Sequence, residues 1–298
     1  MLKRLTCWTA LAVAMTLPLS AQAHRAWMLP STTIVSGDNA WVSVDAAVSN
    51  DLFYFEHHPL VLEGIGKAPE RASAAPAGQN AAPARPRPAN RLLITAPDGS
   101  EVAAQNGHVG KYRSVFDVEL NQKGTYKLAI AGAPRYFARY KENGEDRRWM
   151  GELVEAAQAI PATAEDVQIS RMESRMEVFI TSGKPTDRVF APTGQGLELQ
   201  PVTHPNDLFA EETAEFIFLL DGKPAAGVEV NVIPGGIRHR DELNDITVTS
   251  DAEGKVAITW PQSGFWWLEA KAVQEDGLEA PLNQRRATYT ATLEVMAP

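Results

Sequence analysis

From Thr32 onward, apolar and polar residues alternate in short runs broken by turn residues, and helical spacing is rare. Ile34-Val35, the run from Ala40 to Ala46 and the run from Leu52 to Glu56 are β-prone, with Ser36-Gly37-Asp38-Asn39 and Ser49-Asn50-Asp51 as punctuation. Strands resume at Arg91 to Thr95, Tyr112 to Val118 and Gly124 to Ile130. Gly-Thr-Tyr followed by alternation, as at Gly124, is typical of a late strand of an immunoglobulin-like sandwich. One helix is expected over about 148–159, where Leu153, Val154 and Ala157 form a short apolar face before Pro161. A long strand is expected from Val167 to Thr181, then a polar connector from Lys184 to Gly196. Beyond it, Glu215 to Leu220, the turn Asp221-Gly222-Lys223-Pro224 and Gly227 to Val232 outline a hairpin. Turns at Asp251-Ala252-Glu253-Gly254 and a strand at Gly264 to Ala270 complete a pattern expected of a seven-strand sandwich. The fold expected is therefore all-β: two immunoglobulin-like β-sandwich domains in tandem, 24–195 and 197–297. Trp27, Trp41, Trp266 and Trp267 read as core or near-core strand residues.

Composition changes that picture in two places. Met1 to Ala23 has Lys3 and Arg4, an apolar run from Leu5 to Leu17, Pro18 and an Ala21-Gln22-Ala23 cleavage site, the parts of an export signal. The run is shorter than the roughly 20 residues of a membrane span, and no later run is long enough. A periplasmic protein without a transmembrane segment in its mature chain is expected. Residues 67–90 are dominated by Ala and Pro with scattered basic residues, and are expected to form a flexible insertion in a surface loop of the first domain. The chain's single cysteine, Cys7, lies in the signal, so the mature chain has neither disulfide nor thiolate metal cage. The formal net charge of −9, made more negative by removal of Lys3 and Arg4, disfavours nucleic acid and leaves cations or neutral ligands as partners.

Cleavage after Ala23 would make His24 the first residue, and that changes its chemistry. A free α-amine and the Nδ1 of the same histidine close a six-membered ring on one metal ion. The two groups titrate near pH 7.7–8.0 and about 6.5 in model compounds, so neither holds its proton strongly at neutral pH. One more imidazole would complete a T of three nitrogens, which suits Cu(II) or Ni(II). Glu56-His57-His58-Pro59 ends an aromatic run, where alternation would send only one histidine towards His24. His58 is the expected ligand, since Pro59 fixes the strand exit, and His57 is expected to be packed or to support the site. His204, in Thr203-His204-Pro205-Asn206-Asp207, opens the second domain and is a further candidate at the junction. His239 is expected in a charged loop and His108 in a turn. No H-E-x-x-H, P-loop, G-x-G-x-x-G or G-x-S-x-G motif is present, and carboxylates are scattered, which leaves no support for a hydrolase.

His24-Arg25-Ala26-Trp27-Met28-Leu29-Pro30-Ser31, His57-His58-Pro59 and the late Asp221-Gly222-Lys223-Pro224 module together resemble a bacterial periplasmic family labelled a domain of unknown function. Some of its relatives, NikK-like proteins, accompany nickel or cobalt uptake systems. The resemblance implies metal-binding roles for His24 and His58, and a membrane metal transporter as partner. The start of the chain also resembles, locally, the histidine brace of copper-handling proteins and lytic polysaccharide monooxygenases. The C-terminal part resembles immunoglobulin-like modules of the carboxypeptidase-regulatory type. Doubled His57-His58, the Ala/Pro insertion and His204 depart from the nickel-linked pattern, and the metal stays open between Cu(II), Ni(II) and Co(II). Three function classes follow: periplasmic metal capture and delivery, a copper oxidase acting on polysaccharide, and an envelope adaptor without metal. The first ranks highest, and an enzymatic role ranks below it.

Overall fold

The computed structural model describes residues 24–67 and 89–298; the expected signal and most of the expected Ala/Pro loop lie outside them. In the first half the strands are β1 (Arg25–Pro30), β2 (Ile34–Val35), β3 (Ala40–Ser49), β4 (His58–Pro59), β5 (Leu92–Thr95) and β6 (Glu101–Val102). They continue with β7 (Gln105–Val109), β8 (Ser114–Leu120), β9 (Gly124–Ala131), the hairpin β10 (Arg135–Glu142) and β11 (Glu145–Gly151), helix α1 (Leu153–Ala159) and β12 (Glu165–Ser182). The second half holds β13 (Leu197–Pro201), β14 (Thr213–Leu220), β15 (Lys223–Pro224) and β16 (Glu229–Pro234). It ends with β17 (Ile246–Thr249), β18 (Lys255–Thr259), β19 (Gly264–Gln274) and β20 (Gln284–Val295). The architecture of the described residues is all-β apart from one short helix and two 3-10 turns, and among them no helix is long and apolar enough to cross a membrane.

Two cores are built by the same alternation. In β3 and β8, Ala40, Val42, Val44 and Ala46 face the same core as Phe116, Val118 and Leu120, with Val44 opposite Phe116 in register. Tyr126, Leu128 and Ile130 of β9 and Met176, Val178 and Ile180 of β12 close that core from the other sheet. Each fully buried Phe or Leu of this kind contributes about 1.5–3 kcal/mol. The Tyr126 hydroxyl reaches back to the Gln122 backbone, accepting from its N–H at 2.7 Å, which ties the strand to the preceding corner. In the second core, Phe216, Phe218, Val230, Val232, Trp260, Trp266, Leu268 and Tyr289 pack between the β13-β14-β15-β18 sheet and β16-β17-β19-β20.

The two sandwiches share one sheet. β12 pairs parallel to β20 from Ser170↔Gln284 to Val178↔Thr292, while its last residues pair antiparallel with β9. This explains the change in burial along β12, from charged and exposed at Glu165 to continuously buried from Met176 to Ser182. A connection near the end of β20 reinforces it: the Thr33 amide and hydroxyl donate to Glu294 at 2.7 and 2.8 Å. A third apolar cluster, Trp27, Ala47, Leu52, Ile233 and Trp267, bridges the halves beside the start of β1.

Three expectations are corrected. The helix begins only at Leu153, because Arg148 to Gly151 pair with β10 as strand β11. Leu52 to Glu56 form a turn and loop instead of a strand, with Phe53 in the left-handed region at φ 62°. Trp27, Trp266 and Trp267 are buried as expected, but Trp41 is 42 % exposed on the outer face of β3.

Candidate functional site

β1 and β3 run antiparallel, with Arg25 opposite Ser49, so His24 emerges beside the turn that follows β3. The residues of that turn hold one another firmly. Glu56 accepts from the backbone N–H groups of Asn50 and Asp51 at 2.8 and 2.9 Å. Arg25 donates to the Asn50 carbonyl at 3.1 Å. Beneath them the Trp27 indole donates to Ser49 Oγ at 2.8 Å, and Ser49 Oγ donates to the Asp51 carbonyl at 2.6 Å.

On this frame the histidines meet. The rings of His24 and His57 stack with centroids 3.9 Å apart and planes 28° from parallel. His57 and His58 lie 4.9 Å apart at 42°. His58 Nδ1 is 2.9 Å from the Pro59 carbonyl; a carbonyl only accepts, so Nδ1 bears the proton and the lone pair sits on Nε2. That is the arrangement by which a metal-binding histidine is commonly oriented. His24 Nδ1 stands 2.8 Å from Asn50 Oδ1, so a chelate through Nδ1 requires His24 to release Asn50 and its proton. Among the described residues no group of three or more His, Cys, Asp or Glu is arranged to hold a metal ion. The ring faces of His24 and His57 meet here, and His24 must turn from Asn50 for its Nδ1 to reach an ion.

His57 stacks on the His24 ring and His58 lies against His57, and the alternation argument for a single partner has no strand to act on before His58. His204 does not join them. Its Nδ1 accepts from the Asn206 amide at 3.0 Å and its Nε2 donates to Thr125 Oγ1 at 3.0 Å, by the end of β12. Burial pushes its imidazole below the usual pKa, against the opposing pull of Asp187 and Asp207. His239 ends a short turn of 3-10 helix (Ile237–His239), and His108 lies in the edge strand β7 instead of a turn. Sequence reasoning missed Asn50 and Glu56, whose roles depend on the turn closing over β3. The signal available for them was Ser49-Asn50-Asp51 with an acid five residues on from Asp51.

The family model described as "Domain of unknown function (DUF4198)" matches residues 21–274. No curated protein matches the chain. Among solved structures, the D0-D1 domain of intimin is 10 % identical with a TM-score of 0.21, over 90 % of this chain and 97 % of that one. Dimeric latent PorU from Porphyromonas gingivalis is 12 % identical with a TM-score of 0.19, over 93 % of this chain. This chain spans only 21 % of the PorU chain.

Proposed function

The chain belongs to the family described as a domain of unknown function (DUF4198), a description that carries no activity, and we therefore propose its function from the site. The protein is an exported, periplasmic carrier of a transition-metal ion, Cu(II) or Ni(II) with Co(II) also accommodated, which it captures and hands to a membrane metal transporter. The ion is cargo. His24 would hold it through its α-amine and Nδ1 once the signal is removed, and Nε2 of His58 or a nitrogen of His57 would supply the third donor. The single observation that carries this reading is the stack of His24 on His57 with His58 alongside. Nitrogen donors of this kind favour copper in open competition, so nickel or cobalt specificity would rest on supply and on the transporter.

The copper oxidase has less support. Trp27 and Trp267 below the histidines are buried, and the exposed Trp41 stands at the other end of β3 from Ser49. They offer no open aromatic platform for a polysaccharide beside the ion.

The amine chelate is testable because it exists only in processed protein. Mature protein beginning at His24 is expected to bind Cu(II) with several nitrogen donors in its electron-paramagnetic spectrum. One extra Gly before His24 keeps every side chain but displaces the amine. Affinity should then fall by more than the roughly 10–100-fold that follows loss of an outer partner of a metal ligand. Equal affinity of the extended and mature proteins rules out the chelate.

A further inference from the structure

We infer that the second sandwich is part of the metal site, through Phe53: its ring, wedged into the Pro234–Leu243 loop, sets the position of His57. The inference rests on the metal reading for its purpose but not for its geometry. Phe53 occupies the third position of the turn Asp51-Leu52-Phe53-Tyr54, closed by the Tyr54 amide on the Asp51 carbonyl at 3.3 Å. A φ of 62° is a left-handed conformation that a bulky residue adopts only when its surroundings hold it there.

Those surroundings come from both halves of the molecule. Phe53 meets Trp27 edge-on at 5.5 Å and Phe265 of the second sandwich at 6.4 Å. Gly235 completes the seat: a Cβ there would stand 3.1 Å from Phe53 Cδ2 and 3.2 Å from the Phe265 carbonyl, so any larger residue would press on the ring. The next residue, Tyr54, is covered by the Arg238 guanidinium 3.9 Å above its ring. The loop that supplies these contacts is stiffened from within. Arg240 donates to the carbonyls of Pro234 and Gly235 at 2.6 Å each, and to those of Glu242 and Leu243 at 2.9 Å each. Two residues separate Tyr54 from His57, and one of them, Glu56, fastens Asn50, the partner of His24. The second sandwich therefore grips the segment that carries His57 and frames His24, although it contributes no nitrogen itself. Phe53 is a positioning residue in this scheme.

The test uses the full mature chain and Cu(II) as probe. Phe53→Asn retains a residue that tolerates the left-handed region but removes the wedge, and Gly235→Ala crowds the wedge without touching it. Both are expected to weaken Cu(II) by roughly tenfold or more, the scale of losing an outer support, and to alter the copper spectrum. In metal-free protein, both should move the ring resonances of His57 and leave those of His108 in place. Arg238→Ala, at the surface, keeps the fold intact should the other two lower its stability, and is expected to move His57 in the same sense by less. A drop in melting temperature with unchanged His57 resonances and unchanged copper affinity would overturn the inference, since it would leave Phe53 a purely structural role. Failure of the unsubstituted mature protein to bind Cu(II) would instead sink the metal reading, while the metal-free His57 resonances would still decide whether Phe53 positions that ring.

Discussion

At the scale of single residues, His204 shows how a histidine at a junction is used up by structure. Its two nitrogens are committed in opposite senses, accepting from Asn206 and donating to Thr125. Thr125 and Thr181 contact one another at 3.1 Å, Thr181 donates to Asn206 Oδ1 at 2.8 Å, and Asn206 Nδ2 donates to the Phe179 carbonyl at 2.9 Å. A second proton would have to enter at Nδ1, where the Asn206 N–H already points. Burial lowers the native pKa, so in the window below the unfolded value of about 6.5 the unfolded chain binds more protons than the native one. The contribution of His204 is complete above that pH and declines as pH falls through the window down to the native pKa. His204→Gln, which can still accept and donate, is expected to flatten this part of the curve. Urea midpoints at pH 8 and pH 5 for both proteins check it, and a pH dependence unchanged by the substitution contradicts the assignment. The same variant should bind Cu(II) as the parent does.

At the scale of elements, the Asp221-Gly222 turn connects sequence to packing. Both residues have positive φ, 52° and 75°, the twist that joins β14 to β15 with Leu220 opposite Lys223. The Asp221 carboxylate also grips Arg285 at 2.6 and 2.9 Å, which in turn reaches Glu173 of β12 at 2.7 Å. Arg285 holds the Asp221 carboxyl below its ordinary pKa. Asp221→Asn keeps a turn-compatible residue but removes that charge from a nearly buried guanidinium. Because Asp221 is itself about half exposed, the expected loss is only about 1 kcal/mol. The parent should lose the same contribution as pH falls from about 3.8 through the lowered native value, and the variant should show no such step. Chemical denaturation at pH 7 and pH 3 measures both. This turn was readable because Asp-Gly between alternating runs has a local cause. Asn143-Gly144, at φ 54° and 78°, carries the same signal and closes the β10–β11 hairpin. Reading a helix from Arg148 passed over it, since residue spacing near Arg148 does not show that Trp149 pairs with Ala138 of the facing strand. The candidate site was half legible for a similar reason. Residue types at His24, His57 and His58 announced the chemistry, but Phe53 has its left-handed turn only because Trp27, Gly235 and Phe265 lie around it.

At the scale of the whole molecule, the polar connector suggested two sandwich domains in tandem, and the shared sheet argues that they are coupled. Removing the second sandwich would strip β20 from β12 along nine residue pairs, Ser170 to Val178, and leave backbone donors and acceptors of a central strand unpaired. It would also disturb Glu177, whose carboxylate accepts from Tyr289 at 3.0 Å and pairs with Arg175 at 3.2 Å inside the seam. Burial and the neighbouring Glu177 push the Tyr289 phenol well above its usual pKa, so the phenol keeps the proton that it donates in this contact across the working range of pH. Trp267 would no longer donate to the Ala26 carbonyl beside His24, a bond of 3.1 Å. Such losses are distributed over the length of β12, and local repair at a hinge cannot compensate for them. The mature full-length chain is therefore expected to unfold in one cooperative transition, with calorimetric and van't Hoff enthalpies in agreement. A fragment of residues 24–195 is expected to aggregate or to lack a cooperative transition, and to bind Cu(II) more weakly than the intact chain even where it stays in solution. Two resolved calorimetric transitions, or a fragment that melts sharply and binds copper with full affinity, would show instead that the sheet is continuous in geometry but divided in energy.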